Sequence, residues 1–185
     1  HYNSMKKIVI IDASAAGPKT AAKAKRMNPE NIIELYTDEN IISYSACGLP
    51  YFIEGTVKSI NQLIIRTPED FEKQGIKVFL NHKAQKILPE KKCVIINDKE
   101  VSYDELVICT GAKPNIPNIK NIDMNGVYFL RRVSDGIKIK EAMQNAKRAI
   151  IVGGGYIGIE LLEAFVHNGL SVSIVGSRAR LMGMF

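Results

Sequence analysis

The chain has 185 residues, of which 46% are hydrophobic and 24% charged, and its formal net charge is +6. This globular composition excludes a disordered tail, a collagen-like fibre and a low-complexity linker, and no run approaches the roughly 18 apolar residues that span a bilayer. Three scattered cysteines (Cys47, Cys93, Cys109) with no CxxC pair argue against a disulfide scaffold and a structural zinc site, so no metal is expected. Basic residues are spread along the chain with no block longer than two, which reads as a solvated surface or as a lining for phosphate-bearing ligands. No aromatic-interleaved basic stripe supports nucleic acid as a partner.

His1 to Ser4 read as the remainder of an expression tag ahead of Met5. Met5-Lys6-Lys7 and the apolar Ile8 to Ile11 imitate a signal peptide, but Asp12 breaks the run well short of the roughly 7–15 residues of a signal core. Lys6 to Ile11 is therefore expected to be a strand buried on both faces, in a cytoplasmic protein. The alanine- and lysine-rich Lys19 to Met27 is a helix by propensity and stops at Asn28-Pro29. With a second strand at Asn31 to Tyr36, these elements have the size of a βαβ unit. A further helix is expected through Pro50 to Glu54. Thr67-Pro68-Glu69-Asp70 opens another, with a threonine cap, a proline at the first position and two acids that complement the helix dipole. Ile76 to Leu80, Ala84 to Leu88 and Cys93 to Ile96 read as strands of a small antiparallel insert over about 76–102. Tyr103 to Cys109 returns to a buried parallel strand, and Thr110-Gly111-Ala112, Pro114 and Pro117 mark a crossing to a new domain. Ala149 to Val152, Ile159 to His167 and Ser171 to Val175 form a second strand–helix–strand unit around a glycine turn.

The expected fold is thus α/β. A first Rossmann-like domain covers 5–112, a connecting segment covers 113–148, and 149–185 is the first βαβ unit of a second dinucleotide domain. That second unit reads as unfinished, because a doubly wound sheet needs more than one βαβ unit to bury itself.

Gly153-Gly154-Gly155-Tyr156-Ile157-Gly158 is a full G-x-G-x-x-G between a strand and a helix. Gly153 permits the tight turn, Gly155 lets a pyrophosphate approach the backbone, and Gly158 lets the helix pack on the strand. Tyr156 and Ile157 lie in this turn, and the N-terminus of the helix that follows offers free N–H groups to the phosphate. The next strand ends at Gly176-Ser177-Arg178, with no acid for a ribose hydroxyl and with an arginine, which favours the 2′-phosphate of NADPH over NADH. The alternative for Arg178 is a solvated surface residue. The first unit repeats the design in altered form: Asp12-Ala13-Ser14-Ala15-Ala16-Gly17 puts Asp12, Ser14 and Gly17 at the glycine positions. A carboxylate at position 12 faces an anionic pyrophosphate, at a cost of about 1 kcal/mol at about 4 Å even in water. Thr37 holds the expected ribose position, with Asp38 or Glu34 as substitutes only if the register changes.

Ser43-Tyr44-Ser45-Ala46-Cys47-Gly48-Leu49-Pro50-Tyr51-Phe52-Ile53-Glu54-Gly55 is the decisive segment. A thiolate at a helix N-terminus is stabilised by the dipole and becomes the working nucleophile at neutral pH, which nominates Cys47. A second cysteine five residues on is replaced by Phe52, so Cys47 is expected to act alone, as a mixed disulfide or a sulfenic acid. Cys93 and Cys109 read as packing residues, and His82 and His167 have no partners at ligand spacing.

On Ser43 to Gly55, Leu63 to Gly75, Leu106 to Pro114 and Ala149 to Glu160, the chain resembles the single-cysteine branch of the pyridine nucleotide–disulfide oxidoreductases. That branch contains coenzyme A disulfide reductases, NADH oxidases and NADH peroxidases. The resemblance implies FAD over the turn from Asp12 to Gly17, with Thr37, Asp38, Ser43, Ala84, Thr110 and Gly111 around it. It implies NAD(P)H at Gly153 to Gly158, with Glu160 near the nicotinamide, and Cys47 as the redox centre. Lys23, Arg26 and Ser43 fall where the family holds coenzyme A, although an ordinary basic helix face explains the first two equally well. The acceptor is a disulfide, a peroxide or oxygen. The family's chains are more than twice as long and form homodimers through a C-terminal domain that these 185 residues do not include. The competing expectation is a truncated or degenerate, non-catalytic fragment with weak or absent flavin binding, favoured by Asp12.

Overall fold

Five consecutive apolar-rich residues, Lys7–Ile11, form strand β1. Its side chains alternate between two cores, which is why the run is almost continuously hydrophobic. Ile10 points to one face with Ala21, Ile33, Leu35, Ile42, Phe71 and Ile76. Val9 and Ile11 point to the other with Tyr36, Val94 and Ile96. The computed structural model describes residues 4–176 and 181–182.

Helix α1 (Ala16–Met27) follows and leads to β2 (Ile32–Tyr36), which pairs parallel with β1. Helix α3 (Pro68–Glu72), reached after α2 (Leu49–Glu54), leads to β3 (Ile76–Phe79), and β3 pairs parallel with β2. The expectation that Ile76 to Leu80 begins the antiparallel insert is therefore corrected. The helix between β2 and β3 is a crossover, and Ile76 is fully buried in the α1 and α3 core. The insert proper starts later, as an antiparallel sheet of β4 (Ala84–Leu88), β5 (Cys93–Ile96) and β6 (Lys99–Ser102). Strand β6 was not foreseen, because Lys99-Glu100-Val101-Ser102 carries one apolar residue. The insert covers the Val9–Ile11 face through Val94 and Ile96. Strand β7 (Glu105–Ile108) closes the parallel sheet beside β1, in the order β3-β2-β1-β7. It is an edge strand, and Ile108 is exposed rather than buried as expected.

The chain divides into two compact units: His1–Ser45 with Ile64–Ala112, and Ala46–Leu63 with Lys113–Phe185. In the second, α4 (Val133–Met143) precedes β8 (Arg148–Val152), α5 (Tyr156–His167) and β9 (Ser171–Val175), with β8 and β9 parallel. Helix α2 belongs to this unit. Leu49 and Phe52 approach Gly136 of α4, where a β-carbon would stand 3.3 and 3.9 Å from them. The segment read as a connection over 113–148 thus contains a helix whose Val133, Gly136, Ile139 and Met143 are buried at i, i+3, i+6 and i+10.

Candidate functional site

Two strand–turn–helix junctions share one construction. At the first, the Asp12 N–H donates to the Tyr36 carbonyl at 2.7 Å; at the second, the Gly153 N–H donates to the Val175 carbonyl at 2.8 Å. Both residues have positive φ, +77° at Asp12 and +112° at Gly153. Aspartate is among the few L-residues that enter the left-handed region at modest cost, so the tight turn survives the loss of its glycine. Each turn then brings its helix against its own backbone. A β-carbon at Gly17 would stand 1.9 Å from the Asp12 carbonyl oxygen, and one at Gly158 would stand 2.3 Å from the Gly153 carbonyl oxygen. A side chain at either glycine would push the helix away from the turn.

The helix ends are open. Neither α1, entered at Ala15, nor α5, entered at Gly155, has a side-chain cap or an acid in its first turn. Helix α3 shows the contrast: Thr67 and Asp70 form a capping box, and Glu69 and Asp70 fill the first turn. Uncapped N–H groups at a helix N-terminus attract anions, and both open ends stand directly after a dinucleotide-type turn. Gly155, Tyr156 and Ile157 are exposed at the second. At the first, Ala13 is buried, Ser14 half-buried, and Ala15 and Ala16 exposed.

One group opposes an anion at the first turn. The Ser14 hydroxyl donates to the Asp12 carboxylate at 3.3 Å, which ties the charge to a residue of the same turn. The same charge reaches the end of β7. Burial pushes the Cys109 thiol up, and Asp12 adds to the shift while a hydrogen bond with Thr20 counters it. Cys109 is therefore a protonated packing residue at neutral pH, as its half-buried position suggests.

Thr37 follows β2 and is buried. Its N–H donates to the Phe79 carbonyl, its hydroxyl accepts from the Glu39 N–H, and its carbonyl accepts from the His82 N–H. Asp38 is exposed beside it. Glu34 is removed as a ribose candidate. It is buried at 8% exposure, accepts the Tyr36 hydroxyl at 2.9 Å and pairs with Lys7 at 3.1 Å. Burial and this carboxylate together push the Tyr36 hydroxyl far above the usual tyrosine range. Sequence reasoning missed Glu39, whose carboxylate accepts the buried Tyr44 hydroxyl at 3.1 Å. No local pattern marks a carboxylate whose partner lies five residues on in an irregular loop.

Ser43 is buried at φ +49°, with its N–H on the Ala13 carbonyl and its carbonyl on the Ile65 N–H, each at 2.7 Å. It therefore anchors the loop to the first turn. Ala84 is half-buried against the Val9–Ile11 core, and Thr110 and Gly111 are exposed just after β7. Lys23 and Arg26 are exposed on α1. Ser177 and Arg178 lie outside the described residues.

In the second unit, Cys47 is exposed in a single 3-10 turn, Ala46–Gly48, that runs into α2. Gly48 keeps that turn against Leu63, where a β-carbon would stand 2.3 Å from a leucine methyl. Lys140 lies 4.3 Å from the centre of the Phe52 ring and donates to the Phe52 carbonyl. Burial and the neighbouring Lys58 hold its ammonium below the usual lysine range. Glu160 lines a shallow cleft with Pro50, Tyr51, Glu54, Glu163 and Ala164. Among the described residues no cluster of His, Cys, Asp or Glu is arranged to hold a metal, and no helix is long and apolar enough to cross a membrane.

Comparison with known proteins agrees with this construction. The family model described as pyridine nucleotide-disulphide oxidoreductase matches residues 6–185. An NADH oxidase of Enterococcus faecalis is 33% identical over 97% of this chain and 42% of its own length. A coenzyme A disulfide reductase of Staphylococcus haemolyticus is 32% identical over 92% of this chain and 40% of its own. The solved structure of a water-forming NADH oxidase from Lactobacillus brevis, bound to NADH, superposes with a TM-score of 0.92 at 29% identity, covering 96% of this chain and 41% of that one. The chain thus spans about two fifths of the length of these relatives, and it belongs to the pyridine nucleotide–disulphide oxidoreductase family.

Proposed function

We propose that the chain is the dinucleotide-binding and thiol-bearing part of an FAD-dependent NAD(P)H oxidoreductase that works through one redox cysteine. The observation that carries this reading is the duplicated turn: two positive-φ residues, Asp12 and Gly153, each bonded to the end of the following strand and each followed by an uncapped helix. Two such sites suit two dinucleotides, FAD at the first and NAD(P)H at the second. The backbone of the first turn fits the pyrophosphate of FAD, and the Asp12 carboxylate opposes it. When bound, FAD supplies the two-electron relay between a nicotinamide and a thiol.

The chain's own residues perform the rest. Thr110 and Gly111 would close around the flavin, and Thr37, Asp38 and Ala84 would help hold the same cofactor. In the second unit the open end of α5 would hold the NAD(P)H pyrophosphate, Glu160 on that helix would stand near the nicotinamide, and Ser177 with Arg178 would favour NADPH. Cys47 is the exposed thiol, whereas Cys93 is buried and Cys109 half-buried. Its thiolate attacks one sulfur of a disulfide such as coenzyme A disulfide. A Cys47–coenzyme A mixed disulfide forms and the other coenzyme A leaves as a thiolate. Two electrons and a proton then return Cys47 to the thiol and release the second coenzyme A. Lys23 and Arg26 offer cations to coenzyme A phosphates, with Ser43 shaping the loop. The protein works in the cytoplasm, and the whole protein is a homodimer. A second reading, a family fold that binds flavin weakly and does no chemistry, is favoured by the Asp12 carboxylate.

The test is incubation with FAD, desalting, and visible absorbance, followed by anaerobic NADPH or NADH with coenzyme A disulfide. Retained flavin that NADPH bleaches, with disulfide reduction lost in Cys47→Ser alone, is the expected result. Retained flavin with undiminished disulfide reduction in Cys47→Ser overturns the single-cysteine reading, and a colourless protein selects the second reading.

A further inference from the structure

The departure at Asp12 has two separable components, and the structure tells them apart. A side chain on a tight dinucleotide turn can obstruct it by distorting the backbone or by bringing charge. The backbone is undistorted. Position 12 takes the positive φ that the glycine takes at 153, makes the same strand-end hydrogen bond to within 0.1 Å, and leaves room for the same helix approach at Gly17. The charge is present within the turn itself, where the Asp12 carboxylate accepts the Ser14 hydroxyl at 3.3 Å. It is also felt at a second group, the Cys109 thiol at the end of β7.

We infer that Asp12 is a specificity determinant of the first turn, selecting against an anionic pyrophosphate through its charge alone, in a cradle whose backbone is otherwise complete. The inference rests on the reading of this turn as a dinucleotide site. It leads to a distinctive rule. Asparagine has nearly the same shape as aspartate and also tolerates the left-handed region, so it restores the site as well as glycine does. A conformational obstacle is relieved by glycine only. The penalty from a fixed charge also shrinks with ionic strength, since screening lengths fall to about 10 Å at 0.1 M salt, whereas a steric penalty does not.

The experiment is calorimetric titration of the whole chain, Asp12→Asn and Asp12→Gly with FAD, with ADP (a pyrophosphate without a flavin) and with riboflavin (a flavin without a phosphate). Each is run at low salt and at about 0.3 M NaCl. Both variants are expected to bind FAD and ADP at least about fivefold more tightly than the parent at low salt, as one like-charge contact implies. The gap narrows at high salt, and riboflavin shows no gap. Improvement in Asp12→Gly without Asp12→Asn overturns the inference, because the obstacle is then conformational. Equal affinity in all three proteins overturns it while leaving the dinucleotide site standing. Failure of FAD and ADP to bind any of the three overturns both. Circular dichroism of each variant confirms that the comparison is made between folded chains.

Discussion

The β1–α1 and β8–α5 junctions are the same device in two settings. In both, a positive-φ residue bonds to the end of the next strand, and a glycine five residues on lets the helix touch the turn. The strands that carry them differ sharply. Counting back from the turn, Val9 is fully buried where Ile150 is 71% exposed, and Ile11 is 7% exposed where Val152 is 64%. Strand β1 has neighbours on both sides and cores on both faces, whereas among the described residues β8 pairs with β9 only, with Ile151 buried on one face and Ile150 and Val152 exposed on the other. What the two turns share is local: each is closed by its own residues and by the carbonyl at the end of one parallel partner strand.

Several substitutions test how far the likeness goes. The largest effect is expected at the shared glycines. Gly17→Ala forces a β-carbon into the Asp12 carbonyl and is expected to destabilise the first unit by about 3 kcal/mol in urea denaturation, with Gly158→Ala close behind. Equal stability of both alanine variants and the parent shows that the close helix approach is dispensable. Next comes the contrast of the strands. Val9→Ala is expected to cost about 2 kcal/mol, while Ile150→Ala at the matching place costs less than about 0.5 kcal/mol. A large loss at Ile150 reveals that this face is covered in solution. A smaller effect, about 1 kcal/mol, is expected for Thr67→Ala, because α3 depends on its own cap whereas α1 and α5 leave their ends open. Smallest is Asp12→Gly. Its thermal midpoint should move by only a few degrees, since the relief of a left-handed aspartate is offset by the entropy of an added glycine. A large shift in either direction means that Asp12 does more for the fold than its Ser14 contact shows.

Cysteine labelling sharpens the site in the same way. Cys47 is exposed and should react first with iodoacetamide, with Cys109 slower because burial and Asp12 keep its thiol protonated, and Cys93 last. Peptide mapping after a short pulse reads the order directly. Faster reaction at Cys109 removes the case for Cys47 as the accessible nucleophile.

Much of the site was legible because its signals are local. The strand Lys7–Ile11, the turn positions 12, 14 and 17, the glycines at 153, 155 and 158, the Thr67 cap and the helix after Cys47 all follow from period, spacing and propensity. Other features were not legible because they depend on residues far apart in sequence. Ile76–Phe79 has strand character in either sheet, and only the crossover through α3 and the Phe71 core assign it to the parallel one. Glu34 has the chemistry of a ribose ligand, and only its burial beside Tyr36 and Lys7 removes it. Glu39 became visible through Tyr44, and α4 through the surface that α2 offers it.

Asp12 shows where the division falls. Its identity and its place in the motif, and so the presence of a negative charge at a phosphate turn, were set by the sequence itself. Whether that residue would break the turn was decided by tertiary structure. The parallel pairing of β1 with β2 puts the Tyr36 carbonyl where the Asp12 N–H must meet it, and the approach of Gly17 closes the turn from the other side. Together these contacts outweigh the modest cost of a left-handed aspartate, because a backbone hydrogen bond and close packing are lost in every other conformation of that residue.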